Sequence, residues 1–333
     1  AVFLGSPVEY HLLAGIRTNL YMVFIERTWR SMNEHGIIGL LHPEGHFMDP
    51  KGGVFRESTY RHLRRHWQFR NEAQLFEEIG HTRIFGIHVY GMFDRVGFLQ
   101  ISGLHVVATL EGSLVDAGRE AKPGVQLAEG GWDRRPHRDR VIRVDENVLR
   151  VWCDLLDDST TVPLQGRLMT PLLTHHQDVL AKLAERREVI DGDRIQVSMG
   201  WNETLAKRDG TMEWLTLTPA DWGDVILQGP MFFVGEPFYQ LAREEVRNHS
   251  DYDPWDLEEL PEFCVPRTNY QRAVSREQYE ARIDHWNGEP SWDYWRVAVR
   301  RMTVPGLVRS LVPALIPVGA AHVHAVHSCT AWT

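Results

Sequence analysis

The chain has 333 residues, of which 43% are hydrophobic and 24% charged, as in an ordinary globular protein with room for two domains. It has no apolar run long enough for a membrane span, and three widely spaced cysteines argue against a disulfide framework and favour a reducing, cytoplasmic location. The net charge of −9 counts against general nucleic-acid affinity, although basic clusters at 60–70 and 134–143 leave room for a local basic groove.

The first third of the chain alternates between helical and extended patterns. Residues 18–33 have apolar positions at helical spacing, and GIIGLLHP (36–43) predicts a strand buried on both faces, as in a parallel sheet. ESTYRHLRRHW is typical of a second helix, and QFRNEAQLFEEI and RIFGIHVYG predict two further strands. This order indicates the second half of an alternating α/β domain over residues 1–96.

The pattern changes after residue 96. Residues 97–145 include KPGVQLAEGGWDRRPHRDR, which is rich in Gly, Pro and charge and predicts a basic linker. Further on, DENVLRVWCDLL and HHQDVLAKLAERRE predict helices, and DVILQG, MFFVG, WRVAVRRM and LVPALIP predict strands. We therefore expect a second, mixed α+β domain over residues 146–333.

HPEGHFMDP (42–50) places polar side chains at the end of the first predicted strand. Ligands of open α/β sheets gather at such strand ends, so we expect the rim of a cleft here. The expected rim residues are His42, Pro43, Glu44 and Phe47. His42, Glu44 and His46 alternate and would bind zinc if the strand continued. Pro43 and Gly45 favour a turn, so a polar rim without a metal is the preferred interpretation, and a metal site or a contact with a flipped base or cofactor is the alternative.

Several segments carry a resemblance to a known enzyme family. TNLYMVFIERTWRSMNEHGIIGLLHP (18–43) starts a helix with Asn-Leu-Tyr and passes through a Gly turn into a strand that ends in Pro. This segment resembles the part of adenine-specific DNA methyltransferases that directly follows their catalytic Asn-Pro-Pro-aromatic motif. These enzymes belong to restriction–modification and phage-defence systems. QLFEEIGHTRIFGIHVYG (74–91) resembles the antiparallel pair that closes their sheet. WGDVILQGPMFFVGEPFY (222–239) and residues 296–322 look like a TaqI-like C-terminal specificity domain.

The resemblance implies the second half of a Rossmann-like methyltransferase sheet in residues 1–96, followed by the linker and an incomplete target-recognition domain in 146–333. The intact protein would transfer a methyl group from S-adenosylmethionine to the exocyclic amine of adenine in double-stranded DNA, with other restriction or defence subunits as further partners. The family's Gly-rich cofactor loop and Asn-Pro-Pro motif do not occur in this sequence. We therefore expect a fragment that holds no catalytic residue and is inactive alone.

The resemblance also implies DNA-contacting residues. Phe76 matches the aromatic residue that stacks on the extruded adenine, and a core phenylalanine is the alternative. The basic cluster suggests phosphate contacts by Arg134, Arg135, Arg138 and Arg140. Turns and strand ends of the second half suggest further DNA contacts by Trp201, Asn202, Lys207, Arg208 and Gln228. For each of these residues a solvated or packing role is the alternative.

Two other functions stay open at this point. The chain alone could be a non-catalytic DNA-specificity module. A metal-dependent hydrolase would instead use His42, Glu44 and His46 at the strand end, with Glu44 as general base. Metal analysis of the purified protein separates the hydrolase from both DNA-binding functions.

Overall fold

The computed structural model of the protein describes residues 8–92, 95–186, 195–248, 250–302 and 309–331. The chain divides into two compact units, Ala1–Glu188 and Val189–Thr333, which we call unit 1 and unit 2. It combines helices with mixed sheets, so the predicted mixture of α and β structure is confirmed at this level. None of the described helices has both the length and the apolar composition that a bilayer crossing needs.

In unit 1 the described residues form six α-helices and five strands. The helices are α1 Leu20–Arg30, α2 Gly45–Met48, α3 Gly53–His62, α4 Val107–Val115, α5 Glu146–Leu156 and α6 Thr174–Glu185. The strands are β1 Ile37–His42, β2 Leu63–Arg70, β3 Ile84–Gly91, β4 Gly97–Leu104 and β5 Ile142–Asp145.

The five strands form one sheet in the order β1-β3-β2-β4-β5. β2 and β4 run parallel, and every other neighbouring pair in this sheet is antiparallel. The pairing places His88 of β3 and Gln100 of β4 on either side of His66 in β2. Because opposed residues in neighbouring strands point to the same face, three polar side chains form a row across the middle of the sheet.

β1 lies at the edge of this sheet, which corrects the prediction of a strand buried on both faces. It pairs with β3 in the antiparallel direction, and Ile37 and Leu41 are 74% and 52% exposed. An antiparallel strand can leave one face to solvent, so the apolar run is that of an edge strand. The strand ends at His42 and α2 begins at Gly45, which confirms the turn that Pro43 and Gly45 predict.

The region between α3 and β3 also differs from its prediction. The chain passes directly from α3 into β2, so the predicted second helix is too long at its end. Arg64, which a helical pattern places outward, is buried and donates hydrogen bonds to the carbonyls of Leu63 and Arg61. The second part of the strand predicted over 68–79 is instead a loop that opens with a 3-10 turn, Asn71–Ala73. The antiparallel pair beside β1 is therefore β2 with β3.

Residues 97–145, predicted as a linker, contribute two strands to the sheet. β4 lies between β2 and β5 and is buried on both faces at 100–102, which removes the alternation that identifies a strand in sequence. The two compact units divide between Glu188 and Val189, so α5 and α6 belong to unit 1. The predicted boundary at 145/146 falls inside that unit.

The predictions of helices at α1, α5 and α6 are confirmed. α5 begins at Asp145, whose side chain accepts hydrogen bonds from the backbone N–H groups of Asn147 and Val148 and so satisfies the open end of the helix. Its apolar side buries Leu149 and Trp152 in the same core as α1. The same core includes residues of β2, β4 and β5, so these helices pack against the sheet.

In unit 2 the described residues form two short helices and twelve strands. The helices are α7 Glu203–Arg208 and α8 Arg276–Glu280. The strands are β6 Ile195–Ser198, β7 Met212–Leu217, β8 Ile226–Leu227, β9 Gln240–Ala242, β10 Tyr252–Pro254, β11 Thr268–Arg272, β12 His285–Trp286, β13 Glu289–Pro290, β14 Arg296–Arg300, β15 Pro313–Ile316, β16 Ala321–His322 and β17 Val326–Ala331.

Unit 2 is organised by a four-stranded sheet in the order β15-β14-β17-β6, and its other strands form pairs. β14 and β15 confirm their predictions and pair antiparallel. The prediction of a strand at MFFVG is wrong, because a 3-10 turn at Gly229–Met231 leads into this segment. Tyr270, Tyr279 and Trp292 are almost fully buried and form a core around which the short strand pairs pack.

Candidate functional site

The end of β1 and the loop between β2 and β3 border a cleft of about 810 Å³. Leu41, His42 and Pro43 contribute one part of its lining. Phe76 of the loop and Phe85 of β3 contribute another part. The cleft thus brings together part of the predicted rim and the predicted base-stacking residue.

Phe76 presents its ring to this cleft and is 39% exposed. The ring meets Phe85 edge-on, with the ring centroids 5.1 Å apart. Asn71 holds the loop, because its side-chain oxygen accepts from the Phe76 N–H at 2.9 Å and its Nδ2 donates to the carbonyls of Phe76 and Ile79. The position of the ring therefore depends on backbone hydrogen bonds, and Phe76 is not a core residue.

Only part of the predicted rim lies at the cleft. His42 and Pro43 line it, as expected. Phe47 is 2% exposed and packs against the rings of His66 and His88, so its prediction as a rim residue is wrong. Glu44 also turns inward, towards the same two histidines. The α2 turn that follows Pro43 causes this change of direction.

Glu44, His66 and His88 form a compact cluster inside unit 1. The Oε1 atom of Glu44 lies 2.5 Å from Nε2 of His66 and 3.6 Å from Nε2 of His88. The Oε2 atom accepts a hydrogen bond from the side-chain amide of Gln68 at 2.6 Å. Both histidines are fully buried, and the side chain of Glu44 is 10% exposed. Among the described residues, this is the group of His, Cys, Asp and Glu side chains whose spacing suits a metal ion.

Gln100 fixes the tautomer of His66. Its Nε2 donates to the carbonyl of Met169 at 2.9 Å, which leaves Oε1 to accept from Nδ1 of His66 at 3.1 Å. This assignment follows from the hydrogen-bond network. Nε2 of His66 forms a hydrogen bond with Oε1 of Glu44 at 2.5 Å, so a metal ion at this position would replace the proton that these two atoms share.

Burial shapes the charge state of the cluster. It lowers the pKa of His88 to about 3 and that of neighbouring His42 to about 4, so both rings are neutral at pH 7. Burial alone would raise the pKa of the Glu44 carboxyl, but His66 and His88 hold it well below its usual range. An ionised carboxylate beside imidazole nitrogens is a suitable donor set for a divalent transition metal.

The structure does not bring together the three metal ligands expected from the sequence, which are His42, Glu44 and His46. Nδ1 of His42 lies 2.8 Å from the Pro43 carbonyl and Nε2 lies 2.8 Å from the Tyr90 hydroxyl, so both ring nitrogens have partners. His46 belongs to α2 and directs Nδ1 to a tyrosine hydroxyl 3.4 Å away. The hydrolase site predicted on these three residues is therefore wrong, and Glu44 is the one member that joins the cluster.

The predicted phosphate-binding arginines have different environments. Arg134 and Arg138 are exposed. Arg135 is also exposed but forms an ion pair with Asp133 at 2.7 Å. Arg140 is 4% exposed and donates to the backbone carbonyls of Asp133 and Arg135, so its prediction as a phosphate contact is wrong.

The predicted DNA contacts of unit 2 also separate by environment. Gln228 is 4% exposed and accepts from the Tyr252 hydroxyl at 2.7 Å, so the prediction that it contacts DNA is wrong. Trp201 packs on a buried tyrosine with the ring centroids 4.7 Å apart. Asn202 caps α7 through its side chain. Lys207 and Arg208 are exposed, and the Lys207 ammonium lies over two aromatic rings.

Sequence reasoning missed His66, His88 and Gln100. His88 and Gln100 are polar residues at buried positions of largely apolar strands, which is the signal that could have identified them. His66 lies in the mostly polar strand LRRHWQFR, whose residues also fit a helix, so it carries no such signal. The signal of Gln100 is hidden because residues 97–145, which contain β4, have the composition of a linker. Their proximity depends on the register of three strands.

No protein-family model and no curated protein matches this chain. The cleft beside Phe76 is open to solvent, since Phe76 and Ile79 of its lining are 39% and 42% exposed.

Proposed function

We propose that this chain is part of a site-specific DNA adenine methyltransferase and that unit 1 receives the extruded target adenine in the cleft beside Phe76. One observation carries the proposal. The partly exposed ring of Phe76 lines the same cleft as the strand end at His42 and Pro43. These are segments that the resemblance to adenine-specific methyltransferases associates with the substrate cleft.

The chemistry of the reaction requires such an aromatic surface. A base inside duplex DNA must leave the stack before its exocyclic amine can react, and this costs a few kcal/mol. Stacking on an aromatic side chain returns about 1–3 kcal/mol per base. Phe76 meets this requirement because its ring is held by the loop and is not enclosed in the core.

The strand order of unit 1 supports the proposal. β3 runs antiparallel between β1 and β2, so the strand that ends before Pro43 stands beside an antiparallel pair, although the first strand of that pair is β2 and not the segment 74–79 that the resemblance assigns to it. β1 is the last strand at its side of the described sheet, and Ile37 and Leu41 are exposed there. Such an edge can pair with further strands, and a larger Rossmann-like sheet is part of the proposal.

Double-stranded DNA is the proposed partner, and other restriction or defence subunits are further proposed partners. Arg134 and Arg138 would contact phosphates, because both are exposed in a basic segment. Lys207 and Arg208 of unit 2 would contact base edges or phosphates, since both extend from the end of α7. If DNA binds but the cleft has no part in this binding, the chain acts instead as a non-catalytic DNA-specificity module.

S-adenosylmethionine would be the methyl donor of the proposed reaction. In the described part of unit 1, strands lead into helices after β1, β4 and β5. The connecting residues are Pro43 and Glu44, His105 and Val106, and the cap Asp145, so none of these connections is glycine-rich. These residues do not form the family's cofactor loop, and we derive no step of methyl transfer for them.

Binding of two DNA duplexes tests the role of Phe76. One duplex is fully paired, and the other carries a single bulged adenine that is available without base-pair opening. We expect the wild type to bind the bulged duplex more tightly. Phe76→Ala should weaken that binding roughly tenfold to a hundredfold, because about 1–3 kcal/mol of stacking is lost. Binding of the paired duplex should change little. Fluorescence anisotropy measures both affinities.

The matched control is Phe263→Ala, since Phe263 is 89% exposed and lies in unit 2. It should leave both affinities unchanged. Phe76→Trp should retain the preference for the bulged duplex because it keeps an aromatic face. Equal binding of the two duplexes by wild type, or an intact preference in Phe76→Ala, would contradict the proposal.

A further inference from the structure

We propose that Glu44, His66 and His88 form a binding site for one divalent cation of the zinc type inside unit 1. Each residue offers one ligand atom, and these atoms all lie within 4.8 Å of one another. Two imidazole nitrogens and one carboxylate oxygen suit zinc, whereas magnesium and calcium prefer oxygen ligands. The proposal is independent of DNA binding at the cleft.

The sheet itself brings the three ligands together. His66 of β2 and His88 of β3 are directly opposed in the antiparallel register, and their ring centroids lie 5.1 Å apart. Glu44 follows the end of β1, which pairs with the other side of β3. Two ligands therefore come from adjacent strands, which hold them more rigidly than a loop would, and the third comes from the short turn between β1 and α2.

His88 supplies an independent observation that points to a ligand. Its ring is fully buried, and neither ring nitrogen has a hydrogen-bond partner. Nε2 is directed at Glu44, but the separation of 3.6 Å is too long for a hydrogen bond. A buried polar atom without a partner is destabilising. A cation between His88 and Glu44 would satisfy it.

The groups around the cluster resemble the outer shell of a metal site. Gln100 accepts the Nδ1 proton of His66 and so directs Nε2 at the cluster, where a bound cation would replace the proton that Nε2 shares with Glu44. Gln68 donates to Oε2 of Glu44 and leaves Oε1 facing the two imidazoles. Metal-binding histidines generally donate their second N–H to such a partner, and metal-binding carboxylates are themselves hydrogen-bonded.

Gly86 leaves the space that Glu44 occupies. A Cβ atom at this position would lie 2.4 Å from Oε1 of Glu44 and 2.2 Å from Cε1 of His88. Gly86 stands in β3 opposite His42 of β1 and Gln68 of β2. A glycine at this one position allows the carboxylate to enter the row of histidines.

The geometry needs only a small adjustment to hold zinc. Bonds of about 2.0 Å to a tetrahedral ion separate the ligand atoms by about 3.3 Å. Nε2 of His66 and Oε1 of Glu44 are 2.5 Å apart, and Nε2 of His88 is 3.6 Å from the same oxygen. Shifts of less than about 1 Å would bring each imidazole nitrogen to that separation from the Glu44 oxygen. Three protein ligands leave a fourth position for water.

Metal titration of the full chain tests the site. Protein stripped with a chelator is titrated with Zn²⁺ in one calorimetric experiment and with Mg²⁺ in another. We expect one equivalent of Zn²⁺ to bind with a dissociation constant of roughly micromolar or tighter, and no comparable binding of Mg²⁺. Glu44→Gln and His88→Gln should each abolish this binding. Gln100→Leu should weaken it roughly tenfold to a hundredfold, as expected of an outer-shell partner.

The matched control is His105→Ala. His105 is also buried and lies 3.2 Å from a carboxylate oxygen of Glu72, but no third ligand joins that pair in the described chain. Its replacement should leave Zn²⁺ binding unchanged. Circular dichroism checks that each variant is folded.

X-ray absorption at the zinc edge identifies the ligand atoms of Zn²⁺ bound to the wild type. It therefore tests the site even if a variant fails to fold. Two imidazole ligands, oxygen and no sulfur are the expected result. Sulfur ligands would place the metal at a cysteine and overturn the proposal. It would also be overturned if the folded wild type bound no Zn²⁺, or if folded Glu44→Gln and His88→Gln bound as tightly as wild type.

Discussion

His322 is a buried histidine of β16 in unit 2 and is 1% exposed. Its Nε2 lies 2.7 Å from the Ser328 hydroxyl, and its Nδ1 lies 3.2 Å from the Val323 carbonyl. Burial, together with the positive charge of nearby Arg296, lowers the pKa of His322 to about 3. The ring is therefore neutral in the folded protein at pH values where an unfolded chain already binds a proton.

This histidine should make unit 2 less stable in acid. An exposed histidine has a pKa of about 6.5, so the unfolded state binds more protons between about pH 6.5 and pH 3. The stability that the neutral ring provides is complete above about pH 6.5 and falls by up to about 1.4 kcal/mol per pH unit below it. Between pH 7 and pH 5 we expect a loss of about 2 kcal/mol from this group.

Urea unfolding at the two pH values measures the effect. His322→Gln should lose stability at pH 7 but show a smaller difference between pH 7 and pH 5 than wild type. His285→Gln, a replacement of an exposed histidine of unit 2, should keep the wild-type difference. An equal pH dependence in His322→Gln and wild type would mean that His322 does not titrate as described.

The environment of a side chain decides its role more than its type does. Gln228 and Arg140 belong to residue types that contact DNA, but both are buried and bonded to their own unit. Arg134 and Arg138 come from the same basic segment as Arg140 and are exposed. A single sequence shows the residue types in this segment but does not show which guanidinium groups reach solvent.

The basic segment RRPHRDR (134–140) should contribute to DNA affinity through phosphate contacts of its exposed arginines. Arg134→Ala combined with Arg138→Ala should weaken binding to all duplexes by a similar factor. Each lost phosphate contact should reduce the slope of log affinity against log salt by about 0.9, so the double variant should lose about 1.8. Anisotropy titrations over a range of salt concentrations measure the slope.

A pair of exposed arginines outside the segment provides the control. Arg17→Ala combined with Arg27→Ala removes the same charge from unit 1 and should leave the slope unchanged. Arg140→Ala should instead destabilise the fold, because Arg140 holds the carbonyls of Asp133 and Arg135. An unchanged slope in the Arg134 and Arg138 variant would identify the segment as a solvated loop.

The sequence predicts those elements whose pattern is local. α1, α5 and α6 have helical periodicity, and β14 and β15 alternate clearly. β2 was misread in part because its first residues continue the helical pattern of α3, although Arg64 turns inward. β4 was missed because a strand buried on both faces does not alternate. Hydrogen-bond pairing with neighbouring strands determines where both β2 and β4 form, and the local sequence pattern does not show this pairing.

At the scale of the whole molecule, the cleft could be foreseen and the buried cluster could not. Pro43 and Phe76 belong to segments that a resemblance to methyltransferases places near the substrate, and both line the cleft. His66, His88 and Gln100 meet only through the register of β3, β2 and β4. No spacing in the sequence contains that information, so the expected metal ligands were the neighbours of Glu44 in the chain.

The central claim is that an adenine outside the helix stacks on Phe76. Photocrosslinking of the wild-type chain tests it most directly, with a duplex that carries a single bulged 8-azidoadenine. Mass spectrometry of the digested complex then identifies the attached residues. We expect attachment to the lining of the cleft, at Phe76 or at the strand end formed by Leu41, His42 and Pro43. Efficient attachment elsewhere, with none at these residues, would contradict it.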